Sequence, residues 1–361
     1  MTTKRYLPPS ALHQFLDGLP DTVSKRILGK SLNTLPVQLL TLGQGSCKIL
    51  MWSQMHGNES TSTRALLDFI PWFLSTAQKQ YQKTFTLSII LQLNPDGANA
   101  YTRLNAAGVD LNRDAMNLTQ PESHILHNIY HEIKPDYCLN LHGQRTLFSA
   151  GKMGKTASLS FLAPSADPER SVTPSRKKAM QLIVAMKREL EQELPGQIGR
   201  YDDTFNPNCV GDKFTQLGTP TILFEAGHVP NDYQREITRK HLFKCFKTLL
   251  NSILSNNFEY STKEYFEIPE NAKDFADIII SGIAIEAKGS VHLNQEVAIR
   301  YKEQLEGGEV RFIPVMEEYG LKLPLNAHKR LVLPKNKVDK TLLFEKGETI
   351  QNKELNIFCS I

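Results

Sequence analysis

The sequence has no apolar run long enough to cross a bilayer, which takes about 20 residues. It opens MTTKRYLPPSALHQFLDGLP, a basic pair with no continuous apolar stretch behind it, so no secretory signal is expected. Charge of one sign is missing as well. The 42 Lys and Arg stand against 38 Asp and Glu, a net of +4 with both signs interspersed. Neither a nucleic-acid nor a membrane partner is expected of such a chain. The five cysteines (Cys47, Cys138, Cys209, Cys245 and Cys359) are scattered, odd in number and without CxxC spacing. They fit reduced thiols in the cytoplasm better than a disulfide framework. No internal repeat or low-complexity tract is apparent.

What is present is an ordinary globular balance, 40% hydrophobic and 22% charged, over 361 residues. That length admits one large or two smaller domains. Residues 36–260 alternate apolar β-rich runs with amphipathic runs, the α/β pattern. Strands are expected at 36–42, 47–53, 85–93, 137–142, 158–163 and 219–225, several apolar on both parities as in strands covered on both faces. Helices are expected at about 61–80, 121–133, 173–194 and 230–255, with Pro71 kinking or splitting the first. From 256 the chain turns polar and turn-rich. Short β-type runs separated by Gly, Pro and Asn then follow to the end. The expectation is an α/β unit over 1–258 and a small all-β unit over 266–361.

Four short motifs carry chemistry. Met51 to Glu59 runs from a buried strand into a turn, and Gly57 allows that turn to be tight. His56 and Glu59, three residues apart, can point at one centre. Zinc accepts imidazole nitrogen and carboxylate oxygen, and a catalytic site uses three protein ligands plus water. An HxxE pair alone recurs by accident. His142 supplies a third ligand, because it ends the apolar strand Tyr137–His142 where α/β sheets bind ligands. His124, His127 and His131 also have helical spacing but read as a solvated helix face. Asn94-Pro95-Asp96-Gly97 forms a turn after a strand. Beyond it Arg103, Asn112 and Arg113 offer forks and amide donors for a carboxylate and a carbonyl, or else a solvated basic loop. Finally, the strand Thr219–Glu225 ends in a glutamate, either a paired structural anion or a catalytic base, with His228 as a weaker neighbour.

In this order (His56-x-x-Glu59, Asn94-Pro95-Asp96-Gly97, Arg103, Asp110-Leu111-Asn112-Arg113, His142, Glu225) the motifs resemble those of the zinc carboxypeptidase (M14-type metallopeptidase) family over roughly 45–230. The resemblance implies a central mixed β-sheet flanked by helices and one Zn2+ per chain, held by His56, Glu59 and His142. It implies Asn112 and Arg113 on the substrate's terminal carboxylate, Arg103 on the scissile carbonyl, and Glu225 as general base and then acid. The substrate would be a peptide cut at its C-terminal amide bond. Two departures stand out. The family's mobile tyrosine has only Tyr201 as a nearby counterpart, at an unconvincing spacing. Asp114-Ala115-Met116-Asn117 stands where digestive members carry an aromatic. Asp212 either lines a pocket that favours a basic side chain or is structural. The tetrad His56-Gly57-Asn58-Glu59 and the β-rich tail also resemble the aspartoacylase and succinylglutamate desuccinylase relatives, which hydrolyse small N-acyl amino acids. A non-catalytic peptide-binding relative is the remaining alternative.

Overall fold

The structure, a computed structural model, describes residues 4–332 and 341–349. In chain order it runs α1 (Pro9–Asp17), β1 (Ser24–Lys30), β2 (Pro36–Leu42), β3 (Cys47–Ser53), α2 (Ser60–Leu74), α3 (Lys79–Thr84), β4 (Phe85–Ile90) and α4 (Pro95–Ala100). Then come α5 (Pro121–Ile133), β5 (Tyr137–Gly143), β6 (Ser149–Ala150), β7 (Leu159–Leu162), α6 (Pro174–Leu190), β8 (Ile198–Arg200), α7 (Val210–Gln216) and β9 (Thr221–Ala226). The chain continues through α8 (Glu236–Leu254), α9 (Thr262–Phe266), β10 (Asn271–Ala272), β11 (Phe275–Ala287), β12 (Ser290–Glu306), β13 (Glu309–Gly320), β14 (Asn326–Val332) and β15 (Thr341–Leu343). No helix among the described residues is long and apolar enough to cross a membrane.

Eight strands form a mixed sheet in the order β1-β2-β4-β3-β5-β9-β7-β8. Its centre, β4-β3-β5-β9, is parallel. Alternation along β3 explains why both parities are apolar. Ile49 and Met51 join a core with Phe69 and Phe73 of α2, Ile183 of α6 and Phe246 of α8. Leu50 and Trp52 face the other way, onto Leu126 and Ile129 of α5 and Phe214 of α7. Each fully buried Leu or Phe contributes about 1.5–3 kcal/mol, so helices on both faces are what stabilise these strands. The expected first helix divides, but not at Pro71. That proline lies inside α2, and the helix ends at Leu74 where Ser75 turns extended. A 3-10 turn and α3 follow it. Expectation missed β1, which is exposed along most of its length at the sheet edge.

The second large sheet is all-β, in the order β13-β12-β11-β14, with β15 also beside β11. Two-residue loops join its long strands. Lys288-Gly289 and Gly307-Gly308 all have positive φ, which matches the right-handed twist of the hairpins they close. Its own core is built on Ile278, Ile280, Ile299 and Met316. The polar stretch before it is ordered against the first sheet. Tyr265 of α9 is fully buried and its hydroxyl accepts a hydrogen bond from the Ala163 amide at 3.0 Å.

Candidate active site

The carboxyl end of β3 does not run straight into a helix. Gln54 adopts φ +46°, a left-handed conformation that costs energy for a residue with a side chain. Its side chain offsets this cost. Nε2 donates to the Gly57 carbonyl at 2.6 Å, and Oε1 accepts from the Thr63 hydroxyl at 2.9 Å. Gly57 has a different constraint. A Cβ there would lie 1.9 Å from the Gly97 carbonyl carbon. The Asn94-Pro95-Asp96-Gly97 motif therefore works as a buttress. Asn94 caps α4 by accepting from the Gly97 amide at 2.8 Å, and its Nδ2 donates to the Met55 carbonyl at 3.2 Å. The turn aims His56 inward and leaves Glu59 at the N-terminus of α2.

His142 reaches the same point from β5, adjacent to β3 in the sheet. His56 Nδ1 lies 2.9 Å from Glu59 Oε1, His142 Nδ1 lies 3.0 Å from Glu59 Oε2, and the two Nδ1 atoms are 3.0 Å apart. All three side chains offer ligand atoms within 4.8 Å of one another. Two imidazole nitrogens and a carboxylate converging under burial are an acceptor-rich set, and a cation is what satisfies all three at once. Asp110 completes the arrangement. Its Oδ1 lies 2.9 Å from His56 Nε2, which fixes the proton there and leaves the Nδ1 lone pair free for a metal. Nothing in the sequence pattern around Asp110 marks it for this role beyond its place two residues before Asn112.

The charges reflect this packing. Burial alone would lower the His56 pKa, but Glu59 and Asp110 outweigh it and push it up to about 9. Burial dominates at His142 and lowers it. Glu59 and Asp110 are both held well below the usual carboxylate range: burial opposes this, and the histidines outweigh it. Glu225 goes the other way. It pairs in register with His142 across β5 and β9, and its Oε2 has no hydrogen-bond partner. Burial, and then the nearby Glu59 charge, raise its pKa well above the ordinary value. A buried carboxyl with an unpartnered oxygen beside a metal-type cluster is placed for proton transfer.

His56, Glu59, His142 and Glu225 border one cavity of ≈ 870 Å³, which Arg103, Asn112, Arg113 and Tyr201 also line. Arg103 donates to Asp110 Oδ2 at 3.0 Å and to Glu59 Oε1 at 3.3 Å, while its side chain stays 48% exposed. Asn112 is buried and its Oδ1 accepts from the Val210 amide at 3.1 Å, which ties the Asp110–Arg113 turn to α7. Arg113 is exposed; it donates to the Asn112 carbonyl at 2.8 Å and also meets the Cys209 side chain. The Tyr201 ring stands against Phe148, and burial with Glu225 and Glu59 nearby raises its pKa. Asp212 lines the cavity from the first turn of α7 and accepts from the Asn206 amide at 3.3 Å; burial pushes it up to about 7. His228 is fully buried between Tyr233 and His328, away from this cluster. His124 and His131 are exposed, with His127 half-buried between them.

No curated protein matches the chain in sequence. Among solved structures, the metallo-carboxypeptidase of Burkholderia cenocepacia shares 20% identity, with 70% of this chain covered, 71% of that one, and a TM-score of 0.56. A metallo-carboxypeptidase from Pseudomonas aeruginosa shares 17%, covering 69% and 70%, at 0.55. The carboxypeptidase A of Helicoverpa armigera shares 14%, covering 72% and 76%, at 0.55. These likenesses establish the mixed-sheet fold. The sequence model described as zinc carboxypeptidase matches residues 10–206, a span that includes His56, Glu59, Arg103, Asn112, Arg113 and His142 and stops short of Glu225. With more than half of its length matched, the chain belongs to the zinc carboxypeptidase family.

Proposed function

We propose that the protein is a zinc-dependent hydrolase that removes the C-terminal residue of its substrate, with one zinc ion held by His56, Glu59 and His142. Zinc bound there lowers the pKa of a water towards neutrality and polarises a carbonyl oxygen. The chain's own residues do the rest. Glu225 takes a proton from the attacking water and passes it to the departing amide nitrogen. Arg103 turns from its carboxylate partners towards the oxygen on which negative charge develops. Arg113 and Asn112 hold the terminal carboxylate, the guanidinium through its planar fork. Tyr201 borders the bound substrate. The unit that does this spans 1–258, carries the β-rich unit 266–361, and works in the cytoplasm.

One observation carries this reading. The Glu225 carboxyl, its Oε2 without a hydrogen-bond partner, sits in register beside His142 and next to a three-donor cluster. The same completeness weighs against a non-catalytic binding protein. The test is Glu225→Gln, which should keep one zinc per chain by mass spectrometry and lose about 10²–10⁴-fold in kcat. Full activity in that variant would sink the proposal. A second reading, hydrolysis of a small N-acyl amino acid, is favoured by the part that the C-terminal sheet plays in the cavity: Tyr301, Glu303 and Phe312 all line it.

A further inference from the structure

The neighbours of Glu59 distinguish two sides of the cavity. On one side lie Asp110, Asn112 and Arg113, reached through His56. On the other, the first turn of α2 holds Arg5. The Ser60 hydroxyl donates to the Arg5 carbonyl at 2.5 Å, and Arg5 Nη1 donates to Thr61 Oγ1 at 3.0 Å. Arg5 is only 6% exposed, and it pairs with Glu303 of β12 at 3.2 Å. The Tyr101 hydroxyl donates to the same carboxylate. This clasp fixes β12 to the first turn of α2, directly after Glu59.

A second clasp fixes the sheet near His142. Asp277 of β11 is fully buried. Its Oδ2 accepts from the Tyr301 amide at 2.8 Å and from Thr146 Oγ1 at 3.1 Å, and its Oδ1 accepts from the Tyr233 hydroxyl at 3.0 Å. Thr146 follows β5 and Tyr233 follows β9, the two strands that supply His142 and Glu225. Between the clasps stand Tyr301, Glu303 and Phe312, the last paired across the ladder with Glu303. Tyr233 meets Tyr301 and Phe312 edge-on at 5.3 and 5.4 Å. Burial of both clasps makes this face stiff, because moving it would strand charged groups without partners.

We infer that β12 and β13 form a fixed wall on the acyl side of the scissile bond, so that the enzyme takes short substrates, an N-acylated amino acid or a di- or tripeptide, and rejects longer chains. The inference rests on the hydrolase reading above and deepens it. If Arg113 receives the terminal carboxylate, residues ahead of the scissile bond run towards Arg5, Glu303 and Phe312. The cavity volume of ≈ 870 Å³ lies within the roughly 300–1,000 Å³ that encloses small ligands.

The experiment is a length series of N-acetylated peptides, one to six residues, sharing one C-terminal residue. Zinc-loaded protein is read by kcat/KM, and the Glu225→Gln protein by calorimetric dissociation constants. The six-residue peptide should fall about 100-fold below the best short one in both readings, the size of an overpacking clash. Phe312→Ala should recover about 10-fold on the longest peptide, and Phe312→Trp should lose a similar factor on the tripeptide. Opposite shifts from one position are not what a general loss of folding produces. Equal values across the series, or a length limit untouched by both variants, would overturn the wall. If no peptide is cut at any length, the hydrolase reading fails separately. The Glu225→Gln dissociation constants then decide the inference alone: a length limit upholds it, and uniform or uniformly absent binding overturns it.

Discussion

The two large sheets of this protein are assembled by opposite rules. At the centre of the eight-stranded sheet, spatial neighbours are distant in sequence: β3, β5 and β9 lie side by side although helices and other strands separate them along the chain. In the C-terminal sheet, β11, β12 and β13 are consecutive and joined by two-residue loops. The first arrangement is expensive in loop closure, but it alone brings His56, His142 and Glu225 together, since parallel neighbours deliver their carboxyl ends to one edge. The second is cheap and local, and it presents a broad face. Chemistry therefore sits on the first sheet, and the second shapes the space in front of it.

A glycine in each region offers a way to test this contrast, and the site glycine should show the larger effect. Gly57→Ala places a methyl group against the Gly97 backbone at 1.9 Å, where neither segment can yield without moving His56 or Glu59. Displacing a ligand by about 1 Å should weaken zinc binding and activity by roughly 10²-fold. Competition with a chromophoric chelator measures this, and unchanged zinc affinity would show that the buttress is not needed. Asp110→Asn comes next. It keeps the shape of the group on His56 Nε2 but removes the charge that orients the ring and pairs with Arg103. Zinc affinity should fall about 10–100-fold. A variant that binds zinc as tightly as the parent would remove Asp110 from the site.

Legibility in the sequence followed the same divide. The strands 36–42 and 47–53 and the helix 121–133 were read with the bounds the structure gives them. Their patterns are local, apolar runs punctuated by turn residues or an N-terminal proline. The His56, Glu59 and His142 convergence was legible because His56 and Glu59 lie in the short turn between β3 and α2 and His142 lies next to the end of β5. Harder to read was everything whose reason is a distant partner. Nothing near Asn94 says that its turn buttresses Gly57, and nothing near Arg5 says that it clasps Glu303. The edge strand β1 was missed because its residues are mostly exposed, so no apolar alternation marks it. α7 was missed because it is short, seven residues, and buried against β9 and α5. The expected strand at 85–93 ends early, at Ile90, because the chain must turn there to build the Asn94 cap.

The smallest effect belongs to the hairpin glycine. Gly308 has φ +80° and its missing Cβ would meet nothing within 4 Å. Gly308→Ala therefore costs only the left-handed conformation, about 1 kcal/mol, whereas Gly57→Ala costs steric room at ordinary φ. In a chain of this size that amounts to a fall of roughly 2–4 °C in melting temperature. Zinc affinity and activity on a short substrate should be unchanged, since no group of either clasp lies within 4 Å of where the added methyl would stand. A large loss of zinc from Gly308→Ala would mean that the two sheets are coupled throughout, and that the division between a sheet for chemistry and a sheet for shape is wrong.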